Sequence, residues 1–287
     1  MNSVAPVRAI ARGVSWCFDM ERGSQQRDLV RDHFTETAQV FGDYALASRV
    51  AEAERLAHMV GARAGDRGVD LACGSGTLAL RFAHHVQWIC GVDLTPAMLN
   101  RARHFAAAEE LRNIAFALGD AEALPFADDT LDLAVTSYSL HHMSDPARVI
   151  GEMARVISRG GRVGVLDILV PEDSSVAAMN NRIERVRDRS HTRTLPRSEF
   201  EAYFADHGLR ILETYVEAQL HSFDHWMFVA GSNPGDSRYL EARYLLEESL
   251  ANDSAWFHPR LAPAGEKGPE PELVFENTAL FIAGEKI

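Results

Sequence analysis

The stretch Val69-Asp70-Leu71-Ala72-Cys73-Gly74-Ser75-Gly76-Thr77 decides how the rest of the chain can be interpreted. Its apolar start predicts a short buried strand, and a helix is predicted to begin near Leu78, directly after the glycines. A Gly-x-Gly turn lets the backbone approach a ligand closely, and the first turn of the helix presents free N–H groups. The stretch therefore predicts a nucleotide-like ligand at the end of a strand.

Acidic residues at successive strand ends narrow the choice of ligand. The spacing Gly74-x-Gly76-x-x-Ala79 fits a relaxed dinucleotide fingerprint, but Asp70 would repel a pyrophosphate at this position. Asp93 ends the next predicted strand and can accept both hydroxyls of a ribose, and Asp120 ends the third and could meet an adenine amino group. Together they favour S-adenosylmethionine, which has a sulfonium and an ammonium but no phosphate, over NAD.

The middle of the chain alternates between strand and helix patterns. The predicted helices are Leu78–His85, Ala97–Glu110 and Ala147–Ile157. The predicted strands are Arg67–Cys73, Trp88–Leu94, Ile114–Asp120, Leu131–Ser137, Arg162–Leu169, Leu209–Ala218 and Asn277–Glu285. This alternation predicts an α/β fold with a Rossmann-like, seven-stranded, mostly parallel sheet and helices on both faces.

Four segments are predicted along the chain. Residues 1–60 form an N-terminal helical lid, in which 1–26 are a partly ordered arm and Gly42-Asp43 separates two helices. Residues 61–218 form the ligand-binding core, 219–270 a helical cap inserted before the last strand, and 271–287 that strand. The inserted segment is long for a connection, so we expect it to cover the substrate.

Composition limits the partners. The net charge of −12 argues against a nucleic-acid partner, because binding to a phosphate backbone needs a basic surface. Three scattered cysteines predict no disulfide framework, and neither a signal-peptide core nor a membrane-spanning run is found. We expect a cytoplasmic protein that acts on a small molecule, and apolar positions on the N-terminal helices would permit a homodimer.

The ordered motifs resemble those of the class I S-adenosylmethionine-dependent methyltransferases, especially the small-molecule group of the ubiquinone and menaquinone biosynthesis methyltransferases. The resemblance spans residues 61–218. Ala72 stands where the family more often has glycine. The stretches that carry the resemblance are Asp70–Gly76, Gly91–Leu99, Gly119–Phe126, Ser137–Met143 and Ser158–Val163.

The resemblance implies transfer of a methyl group from S-adenosylmethionine, leaving S-adenosylhomocysteine, to a carbon or oxygen of a small aromatic or quinone-like metabolite. A protein that keeps the cofactor but catalyses another reaction, such as a cyclisation, is the alternative. Tyr44 resembles the tyrosine that closes over the cofactor in related enzymes. The predicted cofactor-binding residues are Tyr44, Asp70, Ala72, Cys73, Gly74, Gly76, Asp93, Leu94, Met98, Gly119, Asp120, Ala121, Ser137 and His142.

Candidate catalytic residues follow the fourth predicted strand. His141 or His142 can remove a proton near neutral pH, and the ring of Tyr138 can stabilise a sulfonium. Asp167 is the other candidate base, with a pKa that we expect an apolar pocket to raise. No spacing of histidine, cysteine and acidic residues matches a metal site. Further candidates for the substrate pocket are His191, His221, His225 and Trp226.

Overall fold

The computed structural model describes residues 8–263 and 271–287, with side chains from Gly23 onward. The first seven residues of the predicted arm lie outside this range. The helices are α1 Arg8–Ser48, α2 Val50–Met59, α3 Thr77–Ala83, α4 Pro96–Ala108, α5 Pro146–Val156, α6 Ser174–Arg187, α7 Arg197–Asp206, α8 Phe223–Val229 and α9 Ser237–Glu248. The strands are β1 Arg67–Leu71, β2 Trp88–Asp93, β3 Ile114–Leu118, β4 Leu131–Ser137, β5 Ile157–Val170, β6 Leu195–Pro196, β7 Leu209–Ser222, β8 Arg260–Ala262 and β9 Glu272–Lys286.

The strands form one sheet in the order β3-β2-β1-β4-β5-β9-β7, with the short β6 beside β5 and β8 beside β9. The first five strands are parallel, whereas β9 runs antiparallel to both β5 and β7. Strands β1, β2 and β4 are buried over most of their length, as expected of parallel strands covered on both faces. The predicted fold class is confirmed.

Helices cover the sheet on both faces. One apolar cluster joins the sheet to α5 and α7 through Ile150, Met153 and Phe204. The other joins the opposite face to α2 and α3 through Leu56 and Phe82. Because the two clusters hold the sheet between them, the carboxyl ends of β1, β2 and β4 are fixed beside one another.

The N-terminal helices differ from the prediction. Instead of a partly ordered arm and a break at Gly42-Asp43, the described chain runs as one helix from Arg8 to Ser48 and resumes at Val50. A Cβ at Gly42 would lie 3.3 Å from the Cβ of Ser75. This glycine therefore favours the close approach of α1 to the glycine turn. Asp43 forms an ion pair with Arg101 on α4.

The segment between β7 and β9 has a core of its own. Helices α8 and α9 pack around Phe223, Trp226 and Leu246, and Ile183 from α6 joins the same cluster. The strands on either side are longer than predicted, since β7 extends to Ser222 and β9 begins at Glu272. Within the described ranges, no helix is long and apolar enough to cross a membrane.

Candidate active site

A cavity of about 1080 Å³ lies at the carboxyl ends of β1, β2 and β4, beneath α1 and α2. We call it the first cavity. Eleven of the residues predicted to bind the cofactor line it: Ala72, Cys73, Gly74, Asp93, Leu94, Met98, Gly119, Asp120, Ala121, Ser137 and His142. The strand order thus brings together residues from four separate motifs, as open α/β sheets do at the ends of their strands.

The two glycines of the turn have different tasks. Gly74 has φ +53° and lines the first cavity, and a Cβ built on it would meet no protein atom within 4 Å. Gly76 has φ +84° and lies outside the lining, where a Cβ would come within 3.0 Å of Ala102 and 3.2 Å of Phe116. Gly74 therefore leaves room for a ligand, whereas Gly76 allows the helix to pack closely.

Asp93 and Asp120 face the first cavity with free acceptor capacity. The Asp93 carboxylate accepts hydrogen bonds from the backbone N–H groups of Gly74 and Thr95, both at 2.8 Å. Each of its oxygens keeps a lone pair, so two ribose hydroxyls can still donate to it. Asp120 accepts from the N–H of Glu122 and lies 3.6 Å from the guanidinium of Arg27.

Two predicted cofactor residues besides Gly76 lie elsewhere. Asp70 is buried behind the turn, where its Oδ2 accepts from the N–H of Ala79 at 3.0 Å and helps to start α3. Burial raises the pKa of Asp70 well above its ordinary value. Tyr44 is absent from the wall of the first cavity, and its ring contacts that of His225 at a distance of 5.3 Å between ring centres.

A second cavity of about 710 Å³ adjoins the first. The walls of the two have Phe34, Phe41, Arg49, Tyr138 and His142 in common, so these residues mark the junction. Its remaining lining includes the predicted residues Tyr44, His141, His221, His225 and Trp226. A ligand here would lie next to one in the first cavity.

His141 lines the second cavity and is held by Asp167. Its Nδ1 lies 2.5 Å from Asp167 Oδ1, and the other carboxylate oxygen accepts from the N–H of Leu140. The expected rise in the pKa of Asp167 is not found. Burial alone would raise this pKa, but the facing His141 and the backbone N–H of Ile168 and Leu140 together bring it below its ordinary value. An ionised Asp167 fixes a proton on Nδ1 and leaves Nε2 free to accept one.

His142 and His191 have supporting positions. His142 lies within 3.2 Å of both the hydroxyl and the carbonyl oxygen of Ser190, and burial lowers its pKa to about 3. It is thus neutral and tied to the backbone. His191 is absent from the cavity walls, because it is buried and bonded to Asn181 Oδ1 at 2.8 Å. His191 therefore lies behind the cavity walls, and its contact with substrate stays a prediction.

Tyr138 lies at the junction of the two cavities with its ring against Arg49, whose guanidinium carbon is 3.8 Å from the ring centre. The Tyr138 hydroxyl accepts a hydrogen bond from Gln219 Nε2 at 2.7 Å, and the same amide donates to Glu52 Oε1 at 2.5 Å. Burial raises the pKa of Tyr138, so the phenol stays neutral. Its ring face is in contact with the Arg49 guanidinium and its hydroxyl with the Gln219 amide.

Sequence reasoning missed Arg49, Glu52 and Gln219. Arg49 has no ion pair among the described residues, whereas the other cations of the two cavities, Arg27 and Arg187, are paired. The sequence did contain one sign of Arg49 and Glu52. Arg49 and Glu52 follow Ala45 at helical spacing on a face that is otherwise apolar, where unpaired charges are unexpected. Gln219 carries no such signal.

The residues of the first cavity fit S-adenosylmethionine. Three of its wall residues have buried oxygens without partners in the described part of the chain: Glu52 Oε2, Thr77 Oγ1 and Thr95 Oγ1. Buried polar groups in folded proteins normally have partners, which a polar ligand would supply here. Arg49 offers a cation and Asp93 a pair of acceptors, as an amino acid and a ribose require. No group of three or more metal-binding side chains occurs in the described ranges.

Comparisons with known proteins agree with this geometry. A family model described as "Methyltransferase domain" matches residues 69–161. The uncharacterized methyltransferase YcgJ of Bacillus subtilis is 34% identical over 225 residues, covering 77% of this chain and 86% of that protein. Its crystal structure superposes with a TM-score of 0.71, covering 85% of this chain and 98% of that chain at 31% identity.

More specialised relatives match over shorter stretches. The 27-O-demethylrifamycin SV methyltransferase of Amycolatopsis mediterranei is 33% identical, covering 54% of this chain and 58% of that protein. The ubiquinone/menaquinone biosynthesis C-methyltransferase UbiE of a Marinomonas species is 32% identical, covering 47% and 53%. The extent of the match to YcgJ shows the family: the chain belongs to the class I S-adenosylmethionine-dependent methyltransferases.

Proposed function

We propose that this enzyme transfers the methyl group of S-adenosylmethionine to a carbon, or to an oxygen, of a small aromatic or quinone-like metabolite held in the second cavity. The observation that carries the proposal is the buried His141–Asp167 pair, whose histidine lines a cavity that adjoins the first cavity. When bound, the cofactor supplies an electrophilic methyl on a sulfonium, whose leaving group is already excellent. The protein has to orient the acceptor, exclude water and remove a proton.

The cofactor would lie along the first cavity. Asp93 would accept the ribose hydroxyls, and Asp120 the adenine amino group. Arg49 would pair with the carboxylate of the methionine part, because it is the cation of this wall without an ion pair in the described chain. Such a charged hydrogen bond contributes about 1.5–3 kcal/mol.

The acceptor would be oriented in the second cavity among the rings of Phe34, Phe41 and Trp226. His141 would take a proton from its phenol or enol oxygen on Nε2, with Asp167 stabilising the imidazolium that forms. The resulting oxyanion is electron-rich at oxygen and at its conjugated carbons, so either atom can attack the methyl group. Placement in the cavity would choose between them. A positioned base of this kind contributes roughly 10²–10⁴-fold to the rate.

Two measurements test the proposal. Calorimetry with S-adenosylmethionine and S-adenosylhomocysteine should show micromolar binding of both. Incubation with cofactor labelled on its methyl group, against a panel of phenols, indoles and reduced quinones, should place label in a product whose formation depends on His141. Conversion of an acceptor without incorporation of label would contradict methyl transfer and favour the cyclisation alternative. Binding of neither cofactor by folded, ligand-free protein would refute the proposed site.

A further inference from the structure

The second cavity shares part of its wall with an outer groove at the protein surface. The groove is an open space of about 890 Å³ between α1 and α8. Tyr44, His225 and Val229 line both the groove and the second cavity, so these three residues form the boundary between them. Tyr44 and His225 meet edge to face in this wall, with ring centres 5.3 Å apart.

The outer groove is suited to an apolar occupant. Its walls include Val40 and Ala47 from α1 and Phe228 from α8, whose side chain is 48% exposed. Two of the polar side chains beside them already have partners. Asp43 pairs with Arg101, and the Ser48 hydroxyl donates to the carbonyl oxygen of Tyr44. Apolar surface with satisfied polar neighbours gains most from contact with hydrocarbon.

We propose that the outer groove is a second section of the acceptor site, which holds an apolar extension of the methyl acceptor while its reacting ring lies in the second cavity. The inference rests on the proposed function, which makes the second cavity the acceptor site. The boundary shared by the groove and that cavity points to this occupant, since a molecule too long for the inner space would reach the groove by displacing the side chains of Tyr44 and His225. Tyr44 and His225 would separate the ring from its extension.

The test is calorimetric titration of protein saturated with S-adenosylhomocysteine, using 4-methylphenol, 4-butylphenol and 4-heptylphenol. Affinity should rise with chain length, by roughly fourfold for each methylene buried in the groove. Ala47→Trp, which fills the groove, and Phe228→Asp, which places a charge in it, should remove most of this rise for heptylphenol and leave methylphenol unchanged. Phe228 is half exposed, so its variant keeps the test available if Ala47→Trp fails to fold.

Matched controls exist on neighbouring surfaces. Ala51→Trp on α2 and Leu240→Asp on α9 make the same changes at exposed positions outside the described cavities, and should retain the full dependence on chain length. Affinity independent of chain length, or no binding of any alkylphenol by the wild type, would overturn the inference. So would a change of oligomeric state in Ala47→Trp with an unaltered alkyl series, which would assign the groove to a second copy. Because no turnover is measured, failure of methyl transfer would be a separate result.

Discussion

Asp167 and His141 face each other across 26 positions of sequence because β5 lies next to β4 in the sheet. Both were candidates for the base, and the sequence left their roles open. The positions of the two residues in the structure distinguish their roles. Asp167 has no place in the second cavity, whereas His141 lines it. In the proposed mechanism Asp167 is therefore a positioning residue, and His141 is the group that would contact the substrate.

Asp167→Asn should lower turnover by roughly 10²-fold, because an amide cannot hold the proton on Nδ1 or balance the imidazolium. Its affinity for S-adenosylhomocysteine should stay within twofold. The double variant Asp167→Asn/His141→Asn should lose little more turnover than either single variant. Additive losses, or an equal loss of cofactor affinity, would indicate a merely structural pair.

Arg49→Met should weaken binding of S-adenosylhomocysteine roughly 10- to 100-fold, because the carboxylate loses a charged partner. Methylthioadenosine has no amino acid part, so its affinity should not change. The matched control is Arg55→Met on α2, where the guanidinium stacks 4.1 Å from the centre of the Tyr215 ring, outside the described cavities. Equal weakening of both nucleosides would assign Arg49 to packing of the junction instead.

At the scale of elements, the turn between β1 and α3 contributes both to the packing of the fold and to the space for a ligand. Both of its glycines have a positive φ, but Gly74 faces the first cavity and Gly76 faces α4 and β3. From the Gly-x-Gly pattern alone, the two glycines cannot be told apart. The structure separates them by what a Cβ would meet.

Gly76→Ala should lower the free energy of unfolding by about 1–3 kcal/mol, because the new methyl would press on Ala102 and Phe116. Gly74→Ala should cost about 1 kcal/mol through its left-handed backbone and should weaken cofactor binding at least tenfold. Urea unfolding and calorimetry with S-adenosylhomocysteine measure the two effects. Cofactor affinity in Gly74→Ala equal to that of the wild type would contradict the placement of the ligand beside this residue.

At the scale of the whole molecule, burial of neutral imidazoles links stability to pH. His142 is packed beneath α1 against Phe34 and lies near Asp188, yet burial holds its pKa at about 3. The unfolded chain would bind a proton there near pH 6.5. Between these values the unfolded state holds more protons, so the contribution of His142 to stability falls as the pH falls.

His142→Asn should therefore be less stable than the wild type at pH 7.5, and the difference should shrink by about 2 kcal/mol at pH 5. Urea unfolding of ligand-free protein at both values gives the comparison. His58→Asn, at an exposed position on α2, should follow the pH dependence of the wild type. A difference between wild type and His142→Asn that is constant with pH would show that His142 is not buried as a neutral group.

The sequence by itself determined the sheet, the glycine turn and the acids at the strand ends. These features depend on short-range patterns, namely apolar runs, glycine spacing and the residue that ends each strand. Only the tertiary structure decided which side chains face the cavities. Arg49, which precedes α2, and Gln219 on β7 both reach the junction of the two cavities. Tyr44 is absent from the wall of the first cavity, and its ring contacts His225. The orientation of a helix depends on packing between distant segments, which local periodicity does not record.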